Sequence, residues 1–310
     1  MAIDKHFYNE ASAAKLSWDP SWFGEEEFGE ELIKAVKKFQ RSHGLTADGL
    51  VGPVTYRRIW TDREANISAT SAGPSGRLMR VSSNNHIVHN GNLYPIDWDA
   101  VVLWDEADGL TTKEGQYYSY AGKPDRKPTL FVNHWDVCLS SKSCAKVLAQ
   151  RGISIHFCID NDGTIYQLLD TQHGAWHAGG RSWNQSSIGV EISNAYYLKY
   201  QQNYVKMGFD ERPLVEGATC HGQNMKPFTD FYPVQLEALK ALWVAVHNAV
   251  GIPLECPTDD DGKLVTTVDA DSINNKFEGF VNHYNLTRKK IDCAGLDLVG
   301  LLQQAKAMKG

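Results

Sequence analysis

Eight residues between positions 134 and 293 are of types that could do chemistry together. His134 ends the apolar run Leu130-Phe131-Val132-Asn133-His134, and His177 stands in the glycine-rich loop Trp176-His177-Ala178-Gly179. Glu191 is a carboxylate on the otherwise apolar stretch Ser187-Ile188-Gly189-Val190-Glu191. His283-Tyr284 is followed by Lys289-Lys290-Ile291-Asp292-Cys293-Ala294-Gly295. A catalytic zinc takes about three protein ligands and leaves a further position for water. The metal lowers the pKa of that water to about 7, so hydroxide is accessible near neutral pH. His134 and His283 are the natural nitrogen ligands, far apart in the chain yet each beside an expected strand end. The chemistry implied is metal-assisted hydrolysis.

These side chains need a frame. Segments 99–104 and 129–133 are rich in Val and Leu and read as buried strands. Residues 154–168 read as a hairpin turning at Asn161-Asp162-Gly163, since Asp-Gly supplies the positive φ angles of a tight turn. Residues 187–192 form another strand, and 141–150 and 233–250 have helical patterning. Strands alternating with helices predict an α/β domain, a mixed β-sheet flanked by helices. Two polar stretches without a period, 200–229 and 257–275, are expected as surface insertions framing a cleft.

The N-terminal part has a different character. Leu32, Ala35, Val36 and Phe39 recur at helical spacing within 31–40, and Gly44 is placed to end that helix. Asp48-Gly49 and Gly52-Pro53 signal turns before a second short helix over 54–60. The ordering Val36-x-x-Phe39-Gln40-x-x-x-Gly44-Leu45-x-x-Asp48-Gly49-x-Val51-Gly52-x-x-Thr55-Tyr56 resembles the three-helix peptidoglycan-binding domain found beside cell-wall hydrolases. By that resemblance, a shallow site near the turn would hold the wall. The small polar composition of 63–80 reads as a linker. The expected organisation is thus a peptidoglycan-binding domain over 1–62, a linker over 63–80 and a catalytic domain over 81–310.

Composition narrows the functional classes. Net charge is −6, which argues against a polyanion binder such as a nucleic-acid protein. Six cysteines are too few for a disulfide scaffold. The apolar stretch 238–254 is interrupted by Lys240, His247 and Asn248 and reads as an amphipathic helix, so no membrane insertion is expected. The first ten residues have no apolar h-region, which sets the expectation of a protein made without an ordinary signal peptide.

In order and approximate spacing, the four chemical segments resemble the zinc-dependent N-acetylmuramoyl-L-alanine amidases. The hairpin Ile155-His156-Phe157-x-Ile159-Asp160-x-Asp162-Gly163-x-Ile165-Tyr166 adds a fifth match. The resemblance implies one Zn2+ ion on His134, His283 and a third ligand that is Asp or Cys in the family. Cys293 is favoured, because thiolate suits zinc and the residues after it match best. Asp292 is the alternative, through the pattern Lys290-Ile291-Asp292. Glu191 would shuttle the proton, and Lys290, or its neighbour Lys289, would stabilise the oxyanion. His177 would contact substrate or orient the reacting groups, and His156 is read as structural. Cys138 and Cys144 resemble a disulfide pair of peptidoglycan recognition proteins, with two reduced thiols as the other reading.

The resulting expectation is a monomeric peptidoglycan hydrolase cutting the amide between N-acetylmuramic acid and the L-alanine of the stem peptide. A wall-binding module joined to such a domain resembles a phage endolysin, made in the host cytoplasm and acting on the wall. A secreted antibacterial effector meets the same requirements. The competing classes are a peptidoglycan receptor without catalysis and a zinc peptidase cutting inside the stem peptide.

Overall fold

The computed structural model describes residues 3–71 and 85–308. Six strands make the central sheet: β1 (Val101–Leu103), β2 (Leu130–Trp135), β3 (Phe157–Ile159), β4 (Ile165–Gln167), β5 (Ser187–Ile192) and β6 (Gly279–Asn282). Their spatial order is β6-β2-β5-β3-β4-β1. Every neighbouring pair is parallel except the β3–β4 hairpin, so the sheet is mixed, as expected. The hairpin turns through Gly163 at φ +84°, where a Cβ would also strike Val234 and Trp98.

All residues of β2 and β5 are buried, which is why their sequences run apolar without alternation. Phe131 and Trp135 of β2, with Ile188, Val190 and Ile192 of β5, share one core with two helices, Pro233–Val250 and Leu298–Met308. Successive strand residues point to opposite faces, so His134 and Glu191 belong to the other face. There Cys158 and Ile155 join Cys144, Val147 and Leu148 of the helix Ser141–Arg151. One face is thus an ordinary apolar core, and the other carries the chemistry.

Three helices form the N-terminal module: α1 (Lys5–Leu16), α2 (Glu30–Ser42) and α3 (Pro53–Ser71). Leu16, Trp18, Leu32, Val36, Val51 and Tyr56 are its core. Buried Gln40 explains the turn motif: its amide donates to the Leu50 carbonyl and to Asp48, and its oxygen accepts from Gly49 N–H. Gly49 adopts φ +81° to allow this.

Two expectations change. The helix expected over 54–60 continues to Ser71, so the first half of the expected linker is helical, and 72–80 lies outside the described residues. Composition misleads here because α3 is held by tertiary contacts, the usual source of helix stability in proteins. Trp60 donates to Ser143 Oγ at 3.0 Å, Thr61 to the Val137 carbonyl at 2.8 Å, and Ser143 in turn donates to Glu64 at 2.6 Å. The insertion 200–229 is the second. It is not merely surface, since Tyr200 and Tyr204 are buried against Ala65 and Leu139. Asn203 of its helix Gln201–Lys206 donates to the Ala65 carbonyl. The insertion helps to cradle α3. No described helix is long and apolar enough to cross a membrane.

Candidate metal centre and active site

His134 stands near the end of β2 and His283 just beyond β6, the adjacent parallel strand, so the sheet itself brings the two imidazoles together. Both Nδ1 atoms lie 3.0 Å from one atom, Oδ2 of Asp292. All three residues are buried. Of the two candidates for the third ligand, the geometry places Asp292 in this group. Cys293, favoured from sequence, is instead packed in the apolar core shared with Phe280, Leu296 and Leu298. Of this pair, only Asp292 joins the histidines. Burial and the neighbouring Asp292 charge hold the Cys293 thiol well above its ordinary range.

Hydrogen bonding fixes the tautomers. Ser187 Oγ donates to the Trp183 carbonyl at 2.6 Å, so it accepts from His177 Nε2 at 3.1 Å. His177 Nδ1 is then an acceptor and takes a proton from His134 Nε2 at 3.0 Å. That leaves a lone pair on His134 Nδ1 aimed at the Asp292 carboxylate. Burial opposes ionisation of Asp292, but His283 and Lys290 hold the carboxyl well below its usual range. Burial, with His283 alongside, also lowers the pKa of His134, so a proton is a poor bridge. A lone pair facing a carboxylate at this distance calls for a cation between them. The buried His/His/Asp cluster is able to hold one metal ion.

The placement of His177 sharpens its role. From sequence it is expected on substrate or as an orienting group; it stands behind His134 as the acceptor that sets its tautomer, the partner a metal-ligating histidine needs. The ring fits only because position 189 is glycine: a Cβ there would lie 2.6 Å from His177. His156 is buried and spent on structure, accepting from Gly189 N–H and donating to the His173 carbonyl.

Glu191 pairs in register with His134 on the neighbouring strand, so the two side chains share a face. It is 5% exposed, and its Oε2 has no hydrogen-bond partner among the described residues. Lys289, Lys290 and Asp292 line an adjoining cavity of about 350 Å³, Lys289 from an exposed position and Lys290 from a half-buried one. Burial lowers the pKa of Lys290, against the opposing pull of Asp292. The cavity's other wall is not foreseen from sequence, since Gly44, Leu45 and Arg57 of the N-terminal module line it together with Arg151. An Arg57-Arg58 doublet between buried Tyr56 and Ile59 is the available signal, but nothing local says what it faces. A second cavity, of about 660 Å³, adjoins through Tyr196, Tyr197 and Ile291 and is lined by the insertion residues Met225 and Phe228.

Residues 124–257 match the family model described as "N-acetylmuramoyl-L-alanine amidase". The second domain belongs to this amidase family. Residues 24–59 match the model described as "Putative peptidoglycan binding domain". The amidase match includes His134, His177 and Glu191 and ends before His283 and Asp292, which the fold supplies. The chain is 34% identical over 98 residues to "Putative N-acetylmuramoyl-L-alanine amidase RC0497" of Rickettsia conorii, a match covering 29% of this chain and 37% of that protein. The chain therefore spans well under half of that relative's length.

Solved structures give partial likenesses. A selenomethionine AmpD derivative is 18% identical with a TM-score of 0.36, over 64% of this chain and 95% of that one. AmiD from E. coli is 20% identical with a TM-score of 0.36, over 64% and 66%. A mutant endolysin from Bacillus subtilis is 17% identical with a TM-score of 0.34, over 68% and 98%. Cys138 and Cys144, the expected disulfide candidates, are buried free thiols.

Proposed function

We propose that the protein is a zinc-dependent peptidoglycan hydrolase cleaving the amide between N-acetylmuramic acid and the L-alanine of the stem peptide. The carrying observation is the lone pair of His134 Nδ1 and the Nδ1 of His283 converging on one ionised Asp292 oxygen. Membership of the amidase family and the peptidoglycan-binding module support the substrate class. His134, His283 and Asp292 would hold the ion, which supplies Lewis-acid chemistry by acidifying a water and polarising the scissile carbonyl. Glu191, with a free Oε2 beside His134, accepts the proton of the attacking water and passes it to the leaving amine. The Lys290 ammonium sits beside Asp292 to stabilise negative charge developing on the carbonyl oxygen. His177 fixes the tautomer of His134. The pairing of a wall-binding module with this domain supports a lytic role of the endolysin kind, acting on the cell wall.

The test is digestion of purified peptidoglycan, with and without a chelator, followed by analysis of the new ends. A free lactyl carboxyl and an N-terminal L-alanine, both abolished by chelation, are expected. Binding to the wall without cleavage by the zinc-loaded protein would leave a receptor. New termini inside the peptide would instead mark a peptidase.

A further inference from the structure

The N-terminal module does more than lie beside the amidase domain, because α3 carries Arg57 into the cleft. Three cations converge there from separate parts of the chain: Arg57 of α3, Arg151 at the end of the helix Ser141–Arg151, and Lys290. Among the described residues the Arg57 guanidinium is ion-paired to Glu191 at 4.0 Å, beyond hydrogen-bond reach, and is only 15% exposed. Arg151 Nε is buried without a partner among them. Asp292 and Glu191 are the carboxylates beside these cations, and Asp292 is the one committed to the histidine cluster. Buried donors and charges without partners are costly, and a resident cation at the histidines would add to the positive excess. The neighbouring Arg58 also lines the cavity with a buried Nη1 unpartnered among the described residues, but its guanidinium lies over the Tyr197 ring at 4.2 Å.

We propose that Arg57, with Arg151, forms a carboxylate-binding subsite of the amidase cleft, next to Lys290. The N-terminal module is then a working wall of the active site as well as a tether to the cell wall. This deepens the amidase reading and rests on it. Guanidinium groups present planar pairs of N–H donors that match a carboxylate, and stem peptides carry free carboxylates near the scissile bond. The contacts of Trp60, Thr61 and Asp62 to the second domain hold α3 so that Arg57 is positioned before substrate arrives.

The experiment uses the zinc-loaded full-length protein and two soluble probes, too small for wall tethering to matter. These are N-acetylmuramoyl-L-alanyl-D-glutamate with its α-carboxyl free, and the same compound with that carboxyl amidated. For Arg57→Gln, KM for the free-carboxylate probe rises about tenfold to a hundredfold, the range for a hydrogen bond to a charged group. KM for the amidated probe stays within about twofold, and any change in kcat, which the Glu191 contact can cause, is the same for both probes. Arg57→Lys recovers part of the loss, and Arg151→Gln shows the same selectivity, which covers the case of a poorly folding Arg57 variant. Equal KM changes on both probes, or none on either, would overturn the proposal. Failure of the amidase reading looks different: the unmodified protein releases no L-alanine amino terminus from either probe, and the subsite falls with it.

Discussion

Two groups of buried ligand-type side chains flank the end of β2, and they teach by contrast. His134, His283 and Asp292 form one, and Asp136, Cys138 and Cys144 the other, each with donor atoms within 4.8 Å of one another. By residue type both could hold a metal. In the second group the carboxylate is spent: Asp136 accepts from Cys138 N–H, Asn194 N–H and Ser193 Oγ, at 2.9, 3.0 and 3.0 Å. The thiol contact with Cys144, together with burial, pushes Cys138 well up, and burial does the same to Cys144. Thiols must lose their protons to bind a metal, so this cluster is a sealed core. In the first group the lone pairs remain unspent and Asp292 opens onto a cleft. What separates a site from a core is which lone pairs the fold has already used.

The contrast breaks most sharply on zinc content. Asp292→Asn is expected to lose stoichiometric zinc and with it all detectable amidase activity. Cys293→Ser, and the pair Cys138→Ser with Cys144→Ser, should keep one zinc per chain by elemental analysis. Zinc retained in the Asp292 variant and lost in the Cys293 variant would reverse the ligand assignment. Loss in the Cys138/Cys144 pair would show that the second cluster is a site after all. Glu191→Gln comes next: zinc stays, and kcat falls by about 10²–10⁴, the contribution of a general acid–base group. A loss below about tenfold in that variant would remove Glu191 from the chemistry. His177→Ala, which removes an outer partner, should weaken zinc binding by about 10–100-fold in competition with a chelator. Unchanged affinity would sink the tautomer argument.

How much of this is legible in the sequence depends on where the information lies. The strand 187–192 and the helix Pro233–Val250 can be read with their observed bounds, because continuous burial leaves a long apolar run. His134, Glu191 and His283 stand out as polar residues in or beside such runs. The choice between Asp292 and Cys293 cannot be read, since both lie in a turn and no local pattern records which side chain it presents to the histidines. Arg57 is invisible as a cleft residue because the groups it faces, Arg151 and Glu191, belong to the other domain. The linker misleads for a related reason: its small polar residues look unstructured until the packing of Trp60, Glu64 and Ala65 is known.

Asp62, at the domain junction, tests the contrast from a third side, as a largely buried carboxylate satisfied by protein partners alone. Its oxygens meet His43 at 2.8 Å, Lys199 at 2.6 Å and the Tyr200 hydroxyl. Burial raises its pKa, but hydrogen bonds from His43, Lys199 and Tyr200 outweigh that and bring it to about 2. A carboxyl held below its unfolded value adds stability that is complete above the unfolded pKa, 3.8, and is lost as pH falls through the folded one. The contribution is about 2 kcal/mol, disappearing between about pH 4 and pH 2. Urea unfolding of the unmodified protein and of Asp62→Asn across that range is the measurement. Their stability difference should be constant above about pH 5 and shrink by about 2 kcal/mol on acidification. A difference that does not change with pH would mean that the Asp62 contacts do not hold α3 against the amidase domain, and that Arg57 owes its place in the cleft to apolar packing.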